Sequence, residues 1–130
     1  MVNDTIADCL TRIRNAQMVK KEYVDVIYSK VVEGIVKILK ENGFVKNYKT
    51  STSEKKYIRI YLKYDSMKNP VIKEIKRVSK PGLRKYTAAK LIKPYKNGLG
   101  MRILTTPQGI ITDKEAKKGN VGGEILCEIW

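Results

Sequence analysis

The sequence predicts an α+β protein in two parts, and three observations predict it. Apolar residues recur at helical spacing twice in the first half, over 6–16 and over 31–39. Apolar and polar residues alternate strictly over 57–64, the mark of a strand with one buried face. Beyond Pro70 the periods shorten while Gly, Pro and Asn recur, which is the pattern of short strands joined by tight turns. Residues 1–66 therefore read as an α-β-α-β-β unit, two helices on a three-stranded sheet. Residues 67–130 read as a small mixed, mostly β domain. A chain of 130 residues, 42% of them hydrophobic, suits one compact unit or two small ones.

Asp4 or Thr5 caps the first helix. Ile6, Cys9, Leu10, Ile13 and Ala16 share its inner face; Asp8, Thr11, Arg12 and Asn15 lie opposite, with Arg14 on the border. Residues 23–28 alternate and favour β-branched side chains, so they form a strand. Ser29 caps a second helix that runs to Asn42, with Val31, Val32, Ile35, Ile38 and Leu39 inward and Gly43 as its stop. A short strand at 44–48 follows. The polar tract 50–55 is a loop, and 57–64 is a strand with Ile58, Ile60, Leu62 and Tyr64 on one face. The polar stretch 65–70 breaks the periodicity, which places a domain boundary after residue 66.

In the second half, 71–78 reads as a strand and Ser79-Lys80-Pro81-Gly82 as a turn. Residues 83–86 are extended, and Thr87 caps one helical turn reaching Leu91. Asn97-Gly98 turns the chain into a strand at 101–106, and Gln108-Gly109 turns it again. Thr112 and Glu115 have the spacing of a capping box for a short helix ending at Gly119. Gly122-Gly123 leads into a last strand, 124–130.

Charge narrows the function. The formal net charge is +14, with +5 in residues 1–66 and +9 in 67–130. Residues 67–102 alone hold eleven Lys or Arg and one acid, Glu74. A small domain needs a net charge of only about 2–8 for solubility, so this excess implies an anionic partner. Phosphate backbones are the commonest, because each cation that meets one releases counterions. With no histidine, the commonest general base and metal ligand is missing. The carboxylates match no metal loop, and there is no phosphate-binding Gly-rich loop and no G-x-S-x-G. The expectation is a binding protein, not an enzyme, with no cofactor, no metal and no small-molecule substrate. Cys9 and Cys127 lie in apolar segments and read as buried, reduced thiols. No apolar run approaches the ~20 residues of a membrane span. Asp4 and Asp8 near the start argue against a targeting peptide.

Several residues suit RNA. Tyr61 and Tyr86 are candidates for stacking on exposed bases, although a lone tyrosine is more often core or sheet filler. Thr105-Thr106-Pro107-Gln108-Gly109 sets two hydroxyls at a strand end beside Pro and Gly. That geometry suits close approach to a sugar edge or phosphate, and it suits an ordinary hairpin too. Gly122-Gly123-Glu124 permits close backbone contact in the same way, or only a strained turn.

Four segments carry a resemblance: NDTIADCLTRIRNAQ at 3–17, VSKPGLRKY at 78–86, NGLGMRILTTPQGIITDKEA at 97–116 and NVGGEILCEIW at 120–130. Together they resemble the bacterial-type family of the eighth protein of the small ribosomal subunit, in order and over nearly the whole chain. The resemblance implies a structural, primary binder of small-subunit (16S) ribosomal RNA. Family members grip an irregular helix with unpaired bases in the central domain, bind early and promote assembly. It implies neighbouring small-subunit proteins as partners. In several bacteria the family also represses its own polycistronic message, so a free regulatory mRNA-binding protein is the alternative. Thr105, Thr106 and Gly109 match the family's Ser-Thr-Ser-x-Gly loop against RNA. Gly122, Gly123 and Glu124 match a second contact turn. Arg84 and Tyr86, in VSKPGLRKY, fall on the same surface. Arg12, Arg14 and Asn15 match the N-terminal helix, which touches another RNA region. The implied location is the ribosome, in bacterial cytoplasm or in the stroma or matrix of an organelle of bacterial descent. One position departs: Pro107 stands where most members have Ser, and it has neither a hydroxyl nor an N–H.

Overall fold

The computed structural model describes residues 4–51 and 54–130, so Thr52 and Ser53 of the expected 50–55 loop lie outside the described residues. The chain divides into two compact units. One is Thr5–Lys73; the other joins Asp4 to Glu74–Trp130. The fold is α+β, with helices and a three-stranded sheet first and a mostly β unit second.

In the first unit α1 (Thr5–Met18) precedes β1 (Tyr23–Ile27), then α2 (Lys30–Glu41), β2 (Val45–Thr50) and β3 (Tyr57–Leu62). The sheet is antiparallel in the order β1-β3-β2. Ser29 is extended, and its Oγ accepts the Val32 N–H at 3.1 Å, satisfying one orphan donor at the start of α2. At the other end Gly43 takes φ +77° while its N–H donates to Lys40 and the Phe44 N–H donates to Leu39. These are the paired bonds of a Schellman stop. α1 packs on β1 and α2 on β2, and the helices meet. Ile6, Cys9, Leu10, Ile13 and Ala16 are buried, as are Val32, Ile35, Val36, Ile38 and Leu39 and the inner face of β3, Ile58, Ile60 and Leu62. Burial, reinforced by the Asp8 charge and opposed by Arg12, pushes the Cys9 thiol up to about 12, so it stays protonated.

The expected boundary after residue 66 lies seven residues before this division. Tyr64 bridges to Pro70, the Val71 N–H donates to Lys63, and Ile72 is buried with its carbonyl 3.5 Å from Gln17 Nε2. Asp65 ties the turn by accepting the N–H groups of Met67 and Asn69. These bonds hold its carboxyl below the usual range. The polar stretch is thus a closed turn and not a linker.

The second unit holds β4 (Ile75–Arg77), β5 (Tyr86–Thr87), β6 (Met101–Thr106), β7 (Gly109–Thr112), α3 (Asp113–Lys118) and β8 (Gly123–Ile129). Its sheet runs β4-β8-β6-β7, with β5 also on β8, all antiparallel. The core takes Ile75, Ile103, Leu126, Cys127 and Ile129, with Ala116 of α3 clustered on Ile92 and Leu104. Three expectations change. The strand read at 71–78 is only Ile75–Arg77, because Val71 and Ile72 belong to the first unit. Thr87 does not cap a helix: it pairs with Gly123 in β5, its hydroxyl donates to the Ala88 carbonyl, and the 3₁₀ turn Ala89–Leu91 has no side-chain cap. Gly109–Thr112 is a strand that four residues were too few to announce. Thr112 does cap α3, accepting the Glu115 N–H at 3.3 Å.

Candidate nucleic-acid interface

The site begins at the start of β8. In register, Glu124 lies between Tyr86 of β5 and Thr105 of β6, and Gly123 faces Thr87. A Cβ on Gly122 would overlap the Thr87 carbonyl oxygen, and one on Gly123 the Thr105 carbonyl oxygen. Both are backbone atoms that cannot swing aside. The two glycines therefore let β5 and β6 close on β8, which draws Tyr86, Thr105, Thr106, Gly122, Gly123 and Glu124 into one cluster.

Glu124 is internally engaged. The fully buried Ser79 hydroxyl donates to Glu124 Oε2, and Arg84 Nη1 meets the same oxygen at 2.9 Å. Ser79 Oγ in turn accepts the Lys85 N–H at 3.1 Å. Burial alone would raise the Glu124 carboxyl; the Ser79 bond, the Arg84 bond and the nearby Arg84 and Arg77 charges outweigh it and hold the carboxyl below its usual range. Glu124 thus stays ionised and orients Arg84, whose side chain is 47% exposed. Tyr86 is 71% exposed beside it. Ser79, read from the sequence only as a turn residue, is the pin of this network. Its partner lies 45 positions away, and nothing in a local pattern signals it.

The loop after β6 resolves the roles of its hydroxyls. Pro107 excludes the primed two-residue turns, which need a positive φ at that position. Gly109 at φ +106° absorbs the mismatch with the strand twist. Thr106 Oγ1 donates to the Gly109 carbonyl at 2.9 Å and accepts the Gln108 N–H at 3.1 Å. Its proton is therefore engaged within the turn. Thr105 has no such bond among the described residues, so its hydroxyl keeps a donor for another molecule.

The second unit carries further cations. Lys80, Lys85, Lys90 and Lys93 are exposed and have no acidic partner among the described residues. Arg77 and Arg102 differ: they pair with Asp4 and Glu128 and are structural. The remaining expected contacts lie in the first unit. Arg12, Arg14 and Asn15 are exposed on α1, and Arg12 pairs with Asp8 at 2.9 Å. Among the described residues no group of acids and cysteines is arranged to hold a metal, and no helix is long and apolar enough to cross a membrane.

The family described as Ribosomal protein S8 matches residues 4–130. The Small ribosomal subunit protein uS8 of Geobacter sulfurreducens is 50% identical over 130 residues, which cover 99% of this chain and 98% of that protein. The protein of the same name from Nitratiruptor sp. is 49% identical over the full length of both chains. That of Helicobacter pylori is 46% identical, again end to end. With a family match over all but the first three residues and relatives at about half identity across the whole length, the chain belongs to the Ribosomal protein S8 family.

Proposed function

We propose that this chain is a structural component of the small ribosomal subunit that binds ribosomal RNA, mainly through its second unit. Its relatives bear the name of a small-subunit protein, and its family is one of ribosomal proteins and not of enzymes. The observation that carries the reading is the cluster at the start of β8. Two glycines without Cβ, an exposed tyrosine, a carboxylate-oriented arginine and an uncommitted threonine hydroxyl lie together, in a unit that also carries exposed lysines with no acidic partner among the described residues. Lysines on phosphates supply affinity that is blind to sequence. The Thr105 hydroxyl, the Tyr86 ring and the backbone at 122–123 supply shape, with Thr106 and Gly109 holding the loop that presents them. The RNA this fits has unpaired bases and an irregular backbone, since a regular A-form helix keeps its bases stacked and its major groove too deep and narrow for side chains to read.

The finer reading is an irregular helix in the central domain of the small-subunit RNA, bound early enough to help that domain assemble. Arg12, Arg14 and Asn15 of α1 then touch a second RNA segment, and neighbouring ribosomal proteins complete the surroundings in the cytoplasmic ribosome. The chain's own polycistronic message is a second RNA for the same surface. Footprinting of the full chain on total small-subunit RNA tests this. Protection at one irregular central-domain helix is expected, and protection scattered over many helices contradicts it. Co-sedimentation with small subunits separates a ribosomal component from a free mRNA binder.

A further inference from the structure

The first unit carries a cleft that the reading above does not use. It has a volume of about 980 Å³ and is lined entirely by first-unit residues, at the end of the sheet where α1 runs into β1 and where β2 and β3 meet the turn at 65–70. Five of its ten lining residues are lysines: Lys20, Lys46, Lys49, Lys63 and Lys68. All five are exposed, none has a carboxylate within ion-pairing distance among the described residues, and Glu22 is the one acid on the lining. Five cations against one acid leave this concavity with a net positive charge, which favours an anion in it.

Two of these lysines stand where the backbone favours glycine. After α1, the Lys20 N–H donates to Gln17 and the Lys21 N–H to Ala16, the same stop that ends α2. The left-handed position is Gly43 in α2 but Lys20, at φ +55°, in α1. Lys68 holds φ +63° in the Asp65 turn. Both strained positions carry a cation on the cleft, and local strain of this kind collects at binding sites.

The lining also has a stacking surface. Tyr61 projects from the open face of the sheet. Its ring centroid lies 6.0 Å from that of Tyr23, and Lys49 Nζ lies 5.8 Å from it. Asn47 stands opposite Tyr61 in register and supplies both a donor and an acceptor. Lysines alone would suit any polyanion. An aromatic ring and an amide beside them suit a base with phosphates on either side.

We propose that this cleft binds unpaired nucleotides of RNA, with Tyr61 stacking on a base, Asn47 at its edge and Lys20, Lys46, Lys63 and Lys68 on the flanking phosphates. It is a further RNA site, built from other residues than the cluster at β8 and the α1 residues Arg12, Arg14 and Asn15. The test follows backbone amide signals of the full-length protein on titration with hexaadenylate, with an abasic ribose-phosphate hexamer and with a decaglutamate peptide, at one salt concentration. Hexaadenylate is expected to shift Asn47, Tyr61 and Lys63 saturably, with the abasic hexamer and the peptide weaker there by about fivefold or more. Tyr61→Leu should remove that advantage. Lys20→Gly and Lys68→Gly delete two cations while relaxing the backbone, so the folded protein should be no less stable and yet bind hexaadenylate severalfold more weakly at these amides. Unmoved cleft amides overturn the proposal, as does equal binding of peptide and oligonucleotide or undiminished binding by the two glycine variants.

Discussion

Gly43 and Gly109 both take a positive φ, at +77° and +106°, in the service of different ends. Gly43 stops a helix whose face is already sealed into a periodic core. Gly109 closes a hairpin whose tip, Pro107 to Gly109, is exposed and whose Thr106 hydroxyl is tied into the turn. The contrast extends to the two units. The first is organised by apolar faces, and its turns join the pieces. The second is organised by close backbone approach, with β4, β5 and β6 all converging on β8. There the turns and the chain's glycines set the geometry of the candidate interface. The comparison teaches that a small basic domain can trade core regularity for a surface shaped by backbone.

The largest expected effect concerns charge. If about 4–6 second-unit cations meet phosphates, RNA affinity should fall about 10²–10³-fold between roughly 50 and 200 mM salt. Replacing Lys80, Lys85, Lys90 and Lys93 by Gln should flatten log Kd against log salt by about one unit for each lysine that meets a phosphate. Filter binding over a salt series checks this, and a slope untouched by the four substitutions would move the electrostatic footprint out of the second unit.

Backbone approach comes next. Gly123→Ala should destabilise the protein by at least about 2 kcal/mol in urea unfolding, since the new methyl meets the Thr105 carbonyl. Gly82→Ala has nothing within 4 Å and no positive φ. It should be neutral or stabilise by up to about 1 kcal/mol. Equal effects at the two positions would remove close approach as the organising feature of the second unit.

Smaller again is the proline. Pro107 holds its own φ and pushes Thr106 towards extended geometry, so the loop is shaped before RNA arrives. Pro107→Gly should weaken RNA binding by about 1 kcal/mol. Pro107→Ser, which adds a hydroxyl and loosens the loop, should change it little. Gly binding as tightly as Pro would make the residue merely tolerated.

The smallest effect is in pH. Glu124 has a folded pKa below its unfolded one, so the unfolded state binds more protons as the medium acidifies. Its contribution is complete above the ordinary Glu value of about 4.5 and is lost as pH falls through the lower folded value. Thermal melts from pH 7 down to 3 should show this loss in the parent, and Glu124→Gln should lack that part of it. With no histidine in the chain, RNA affinity should be nearly flat from pH 6 to 8.

Legibility from sequence followed the same divide. α1, α2 and β3 were readable because their core faces repeat at 3.6 or 2 residues, and Ser29, Gly43 and Thr112 mark helix ends through local bonds. The clustering of Tyr86, Thr105 and Glu124 was visible only through resemblance, since strand pairing across 19 to 38 positions leaves no local trace. Thr87 shows the failure plainly. A threonine before Ala-Ala-Lys-Leu has the composition of a helix cap, yet pairing with Gly123 claims it for a strand. Ser79 and the buried Gln17 were missed for the same reason: the Ser79 hydroxyl and the Gln17 amide nitrogen each bond to a distant segment.

The central claim is that the turn cluster reads the RNA while the lysines only hold it. The most direct test compares Thr105→Ala with Lys90→Ala, as the ratio of affinity for the ribosomal RNA helix that footprinting picks out to affinity for a random duplex at one salt concentration. Thr105 keeps its hydroxyl proton for a partner, so its loss should lower the ratio about fivefold or more. Lys90 should weaken both RNAs alike and leave the ratio unchanged. A ratio that collapses in Lys90→Ala and survives in Thr105→Ala would contradict the account.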